Sequence, residues 1–223
     1  MLPHEPGGFG QIQPTPIQLR RRAFTLPDTV PMLPGHGFAV RTTKVPKSVL
    51  ARSTWSPKCP VPSTDLRWMR LTFWGFDDAR HTGELLVHHS AVSALTMVFG
   101  KLYRARFPLE QMSIGTQADL VAPPTGDGNG TGAFMCRPMV GSTSYSQHAY
   151  GLAVDINPFQ NPYTKGDLVL PELASSYLDR SWRRPGMILE GGPVIAAFES
   201  VGWHWGGYWR SLKDRHHFSA NDR

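Results

Sequence analysis

The sequence predicts an α+β domain built on a small antiparallel sheet. Segments typical of strands and helices follow one another in mixed order, without the regular alternation of strand and helix that builds a parallel sheet. Residues 66–76 are dense in aromatic and apolar side chains, as strands are, and residues 90–106 repeat apolar side chains at helical spacing. With 223 residues, 40% of them hydrophobic, the chain is long enough to bury a real core.

Residues 1–50 are predicted to form a proline-rich extended arm, and residues 51–223 the folded domain. The stretches PGGFG, QPTP and MLPGHG are typical of turns and extended chain, and no apolar periodicity runs through this part. We expect the arm to lie along the domain surface or to be partly mobile. The first residues lack the charged and then apolar pattern of a secretory signal, and no apolar run in the chain approaches the roughly 18 residues of a membrane span.

The elements of the domain follow from local patterns. The strand at 66–76 leads through the turn GFDDARHTG to a second short strand at 83–88, with the sequence GELLVH. The helix at 90–106 comes next and is stopped by Pro108, since proline lacks the N–H that a helix needs. Further on, GGPVIAAFESVG predicts a short helix that ends near Gly202.

A charged residue interrupts the apolar stretch LAVDIN, where the spacing predicts a strand with one buried face. Gly151 allows a sharp turn just before this strand. Asp155 lies on the other face, where a carboxylate must be exposed, paired or bound to a cation, because an unpaired buried charge is costly. His148 stands seven residues upstream, beyond the turn. The two side chains can therefore converge on a shared metal.

The net charge is +6, which suits an anionic partner, although a solvated basic surface is the simpler interpretation. Basic residues are scattered, apart from Arg20, Arg21 and Arg22, and no nucleic-acid-binding motif is present, so we expect no nucleic-acid partner. The glycine-rich loop PPTGDGNGTGAF does not fit the phosphate-binding patterns, which argues against a nucleotide site. Cys59 and Cys136 allow one disulfide, but two unrelated buried thiols fit the sequence equally well.

The C-terminal DRHHF supplies further candidates for a metal site. Catalytic zinc is held by three protein ligands drawn from His, Asp, Glu or Cys, with water in the fourth position. Asp214 precedes His217 by three residues, so a third ligand and a carboxylate base can come from this segment. Four other histidines compete as ligands, and each is interpreted as packed or solvated: His88, His89, His204 and His216.

Two motifs together resemble those of the M15 metallopeptidases, the D-alanyl-D-alanine carboxypeptidase-like family. The likeness covers roughly residues 55–218 and includes CPVP, WGFDD, HTGEL and AFMCR. The pattern S-x-H-x-x-G-x-A-x-D is met by Ser146, His148, Gly151, Ala153 and Asp155. The pattern G-W-x-W-G-G with D-x-x-H-F is met by Gly202, Trp203, Trp205, Gly206, Gly207, Asp214, His217 and Phe218.

The resemblance implies a hedgehog- and D,D-peptidase-like fold around a single Zn²⁺. It implies His148, Asp155 and His217 as the metal ligands and Asp214 as the general base. It also implies that Arg137 and Ser146 hold polar groups of the substrate. Two departures bear on substrate preference, because Tyr208 and Ser219 stand where many relatives carry acidic residues.

The function implied is hydrolysis of peptide bonds in the stem peptides of bacterial peptidoglycan, by a carboxypeptidase or an endopeptidase. The alternative is a zinc-stabilised module that binds peptidoglycan without cutting it. The resemblance favours a disulfide between Cys59 and Cys136 and an extracellular or wall-associated protein. A phage-type lysin released through the membrane is the alternative location. We expect a monomer that contacts the stem peptide.

Overall fold

The computed structural model describes residues 11–123, 125–139 and 143–222. These residues form three small antiparallel sheets of three strands each, packed with four α-helices. The mixed architecture confirms the α+β prediction, although the sequence predicted a single sheet. No helix within these ranges is long and apolar enough to cross a membrane.

The first sheet is the largest and has the order β1-β2-β3. It consists of β1 (Val40–Lys44), β2 (Leu66–Trp74) and β3 (Arg80–His88). The hairpin of β2 and β3 confirms the two strands predicted around the GFDDARHTG turn. Strand β1 comes from the segment assigned to the arm, and it pairs with β2 along its whole length.

The other two sheets carry the C-terminal half of the chain. Their strands are β4 (Ala153–Asp155), β5 (Tyr163–Lys165), β6 (Leu168–Leu170), β7 (His204–Trp205), β8 (Lys213–Asp214) and β9 (His217–Ser219). The second sheet has the order β4-β9-β7, and the third has the order β6-β5-β8. Since β8 and β9 belong to different sheets, the DRHHF segment passes from one sheet to the next.

The helices surround the main core. They are α1 (Lys47–Arg52), α2 (Val92–Arg104), α3 (Gln117–Val121) and α4 (Pro193–Glu199). Helices α2 and α4 confirm the two predicted helices, and they share one hydrophobic cluster with the first two sheets. Within it, the ring of Phe198 stacks on Phe218, with the ring centroids 3.9 Å apart. This contact fixes β9 against α4, and so fixes the strand that carries His217.

The described part of the N-terminal segment is packed against the domain through a buried ion pair. Arg22 is 7% exposed and donates two hydrogen bonds to the Glu110 carboxylate, at 2.7 and 2.6 Å. The same carboxylate accepts a bond from Asn129 in the glycine-rich loop, at 2.7 Å. Removing one partner of such a pair leaves a buried charge uncompensated, which is strongly destabilising. The arm therefore stabilises the glycine-rich loop.

A disulfide joins Cys59 to Cys136, with an S–S distance of 2.01 Å and 77 residues of sequence separation. This settles the open choice between a bridge and two free thiols. The bridge lies beside a second, smaller hydrophobic cluster that includes Leu86 and Phe134. Cys136 is further held by a hydrogen bond from its N–H to Thr54 Oγ1 at 2.9 Å. The disulfide thus anchors the segment that leads into Arg137.

Candidate metal centre

His148 is positioned by a tight turn between two fixed ends. It lies in a 3-10 helical turn, Gln147–Tyr150, whose N-cap is Ser146 and which ends at Gly151 with φ of +68°. A Cβ at Gly151 would lie 2.5 Å from the backbone nitrogen of His88, closer than any side chain can approach. Only glycine satisfies both the left-handed backbone and this close contact. The turn that presents His148 therefore depends on the residue that the motif places there.

Asp155 and His217 are brought together by strand register. Strands β4 and β9 pair antiparallel, with Asp155 directly opposite His217 and Val154 directly opposite Phe218. Since side chains alternate across a strand, Val154 and Phe218 point into the core while Asp155 and His217 share the other face. The core pair is fully buried, so a register slip would bury the carboxylate and the imidazole instead.

The three predicted ligands converge on one point. His148 Nε2 lies 3.2 Å from Asp155 Oδ1 and 3.2 Å from His217 Nδ1, and the last two atoms are 3.1 Å apart. Zinc bonds of about 2.0–2.1 Å in tetrahedral geometry place ligand atoms about 3.3 Å from one another. The donor set therefore fits zinc in kind, number and spacing. Both histidines are buried, at 7% and 5% exposure.

The orientation of His148 is consistent with a metal ligand. Its Nδ1 lies 2.5 Å from the backbone oxygen of Ala133, so Nδ1–H donates to that carbonyl. The lone pair of Nε2 then faces Asp155 and His217. Metal-binding histidines are commonly oriented in this way by a carbonyl or carboxylate behind the ring. Ala133 is itself fixed, because the adjacent Gly132 exchanges two backbone hydrogen bonds with Asp155.

The charges of the centre are strongly coupled without a metal. Burial alone would raise the pKa of Asp155, but the attraction of His148 and His216, with hydrogen bonds from His148 and His217, holds that pKa well below its usual value. Burial lowers the pKa of His148, but the Asp155 carboxylate and the hydrogen bond to Ala133 outweigh it and raise that pKa. The metal-free site therefore favours a carboxylate beside a protonated imidazole. A divalent cation supplies the same positive charge.

Asp214 lies near the three candidate ligands, and His216 lies between Asp214 and Asp155. The His216 Nε2 atom is 3.1 Å from Asp214 Oδ1 and 3.8 Å from Asp155 Oδ2. His216 Nδ1 lies 2.8 Å from the carbonyl of Asn161, which fixes the ring. Although Asp214 Oδ1 is buried and close to His216, the angles there do not make a hydrogen bond. A buried carboxylate oxygen of Asp214 thus lies near the three candidate ligands.

His216 is packed, in agreement with its interpretation as a packed or solvated histidine, and lies half-buried between the carboxylates of Asp155 and Asp214. The sequence did not indicate these two carboxylate neighbours. Sequence spacing alone cannot indicate these neighbours, because the chain passes from β8 to β9 here. Neighbouring residues of the two strands then face the same region. His204 is exposed, in agreement with its interpretation as solvated.

A cleft of about 460 Å³ opens beside the centre, lined in part by Arg137, His148 and Asp155. Arg137 is exposed at this cleft and donates to the Pro138 carbonyl at 3.3 Å. Ser146 is half-buried and its hydroxyl accepts from the N–H of His148 at 3.4 Å. The predicted substrate contacts of Arg137 and Ser146 stay predictions.

The glycine-rich loop forms one wall of the cleft, a role that its sequence did not suggest. Gly128, Gly130 and Gly132 line the cleft, and a Cβ at Gly128 or Gly130 would meet no atom within 4 Å. Side chains at these two positions would therefore project into the open space of the cleft. The loop leaves room for an extended ligand along the wall.

A comparison with known families supports the interpretation of the two motifs. A family model described as D-alanyl-D-alanine carboxypeptidase matches residues 140–220. No curated protein matches the chain, and no solved structure matches it. The matched part contains the three converging ligands and Asp214, whereas Arg137 lies just before it. The match confirms the resemblance drawn from the two motifs: residues 140–220 are similar to the M15 family of peptidases.

Proposed function

We propose that this protein is a zinc-dependent peptidase that hydrolyses peptide bonds in peptidoglycan stem peptides. The observation that carries the proposal is the triangle of donor atoms from His148, Asp155 and His217, with sides of 3.1–3.2 Å at a cleft. When bound, zinc would polarise the scissile carbonyl and lower the pKa of its water toward about 7. The chain's own residues supply the remaining requirements.

Asp214 acts as the general base in this proposal. Its buried Oδ1 makes no hydrogen bond although His216 Nε2 lies 3.1 Å away, and in this role it accepts a proton from the attacking water and passes it to the leaving amine. Asp214 is placed by β8, which pairs with β5 at Tyr163. Gly206 packs so closely that a Cβ there would lie 2.8 Å from the Asp214 carbonyl oxygen. The backbone around the base is therefore held firmly.

Arg137 binds a carboxylate of the substrate. Stem peptides are rich in carboxylates, and a guanidinium grips a carboxylate through two parallel hydrogen bonds. Arg137 is exposed at the cleft, and the disulfide at Cys136 restrains its backbone. Ser146, which caps the His148 turn, binds a polar group of the substrate in this proposal.

We place the protein outside the cytoplasmic membrane, where peptidoglycan is found. The disulfide supports this location, since such bonds persist in oxidising compartments. The net charge of +6 favours association with an anionic cell wall.

The test is to incubate the zinc-loaded protein with purified peptidoglycan fragments and identify products by mass spectrometry. We expect a defined cleavage, whose mass names the bond: D-Ala–D-Ala, L-Ala–D-Glu or a cross-bridge. The Asp214→Asn variant should bind zinc and leave the fragments intact, and His36→Ala, at an exposed position, should cleave like the parent. Zinc binding without cleavage of carboxypeptidase and endopeptidase substrates would overturn the proposal and indicate a non-catalytic peptidoglycan-binding module.

A further inference from the structure

A second group of side chains with metal-ligand atoms lies at the open end of the β2–β3 hairpin, where β2 begins and β3 ends. Asp65, His88 and His89 each offer a ligand atom, and these atoms lie within 4.8 Å of one another. Leu66 pairs with His88 at the end of the sheet register, and Asp65 and His89 adjoin this pair in 3-10 turns. The ring centroids of His88 and His89 lie 4.3 Å apart, with the ring planes tilted by 33°. The hairpin end therefore gathers two imidazoles and a carboxylate on one side.

We propose that Asp65, His88 and His89 form a second, surface site for a divalent transition metal of the zinc class. Two imidazole nitrogens and one carboxylate oxygen are a donor set that zinc accepts, with water in the remaining position. Asp65 and His88 are half-buried and His89 is exposed.

The surroundings of His88 suit a ligand. Its Nδ1 lies 2.7 Å from Ser90 Oγ, which accepts from Nδ1–H once Nε2 carries the metal. In the metal-free chain the same nitrogen accepts from the Ser90 N–H at 3.3 Å, so binding through Nε2 requires the ring proton to move to Nδ1. The nearest cation, Arg67, turns its guanidinium to the backbone oxygens of Thr64 and Leu66, at 2.9 Å each.

The surface site touches the element that carries the buried centre. The N–H of His88 donates to the carbonyl of Gly151 at 2.9 Å, and Gly151 ends the turn that presents His148. An ion held by His88 would restrain the strand end on which that turn rests. The two sites are distinct in ligands, so each can be removed without removing a ligand of the other.

Equilibrium dialysis of the full chain against buffered zinc, followed by elemental analysis, tests the inference. We expect two zinc ions per parent chain, corresponding to the two ligand groups. Asp65→Asn and His89→Ala should each bind one fewer, and His148→Ala should also lose one but keep the surface ion. His36→Ala, an exposed histidine outside both groups, should bind as the parent does.

The outcomes separate this inference from the proposed peptidase. A parent chain that binds a single zinc, lost in His148→Ala, would overturn the surface site and leave the buried one intact. Two ions retained in both Asp65→Asn and His89→Ala would overturn it as well. Asp65→Asn is nearly isosteric and His89 is exposed, so both variants should fold, and the retained buried zinc reports that they have.

Discussion

The two His and Asp groups of this protein offer similar ligands in opposite settings. His148, Asp155 and His217 are held by a capped turn and by paired strands, with donor atoms already 3.1–3.2 Å apart. The group at the hairpin end is partly exposed, and its donor atoms are spread within 4.8 Å. Ligand identity alone therefore does not define a metal centre. The packing behind the ligands determines how much reorganisation binding requires.

The difference has an energetic consequence. The buried group spends little side-chain entropy on binding because packing has already selected its rotamers, whereas the exposed group must order its side chains when the ion arrives. We therefore expect the buried centre to bind zinc more tightly than the surface group. The following predictions test this contrast, beginning with the largest effect.

Asp155→Asn should abolish zinc binding at the buried centre and reduce hydrolysis below detection. The substitution keeps the shape of the side chain but removes the charge that attracts His148 and the cation. Zinc analysis and the peptidoglycan assay measure both losses on one sample. Asp65→Asn serves as the matched control, since it makes the same chemical change in the exposed group and should keep the buried ion. Full zinc content and turnover in Asp155→Asn would show that the ligand assignment is wrong.

Asp214→Asn should lower kcat by about 10²–10⁴-fold, the usual contribution of a general base. The zinc content should not change, because Asp214 is outside the triangle of donor atoms and contacts it through His216. Steady-state kinetics with elemental analysis separates the two effects. Loss of zinc together with activity would instead make Asp214 a ligand or a support of one.

Much of this site could be predicted from the sequence, because several of its residues act within one short segment of the chain. The motif residues Ser146, His148 and Gly151 act within a single turn, and their spacing reflects its geometry. The pairing of Asp155 with His217 depends on a register between strands 62 positions apart, which the two motifs imply only through the family resemblance. Here the structure supplies the physical reason for a grouping that spacing cannot give.

Other features depend on contacts that no local pattern encodes. The proline-rich segment gave no periodicity, yet its Arg22 is buried against Glu110, because one long-range ion pair needs no repeating pattern. The glycine-rich loop carried no known motif, although its conformation forms a cleft wall. The α+β class was predictable because β2, β3 and α2 have clear apolar patterns. The division into three sheets was not, since several strands are only two or three residues long.

Gly151→Ala should destabilise the protein more than Gly166→Ala. Both glycines have positive φ, +68° and +55°, a conformation that costs other residues about 1–2 kcal/mol. A Cβ at Gly166 would meet open space, whereas at Gly151 it would collide with the His88 backbone between the two metal groups. Urea unfolding of the two metal-free variants gives the difference in free energy of unfolding. Equal losses would mean that the contact between the turn and the hairpin end yields without cost.

The pH dependence of the stability of the metal-free protein is the smallest of the expected effects, and it too distinguishes the two groups. The pKa of His148 is raised above its ordinary 6.5, so its pairing stabilises the fold fully below that pH and less as pH rises through the raised value. The pKa of Asp155 is lowered below its ordinary 3.8, so its contribution is complete above that pH and is lost as pH falls through the lowered value. The stabilisation is therefore greatest between the two ordinary values.

Thermal unfolding as the pH rises above 6.5 should show the metal-free parent losing stability more than His148→Ala does. Zinc should reverse the trend, because it binds the neutral imidazole and competes with the proton, so its stabilisation grows as pH rises. His88 of the exposed group should not contribute to this loss, since its pKa is lowered from 6.5 and its imidazole is neutral in both the folded and unfolded states above that pH. An identical pH slope in the parent and in His148→Ala would show that the buried pair is not charged without metal, and that its preorganisation comes from packing alone.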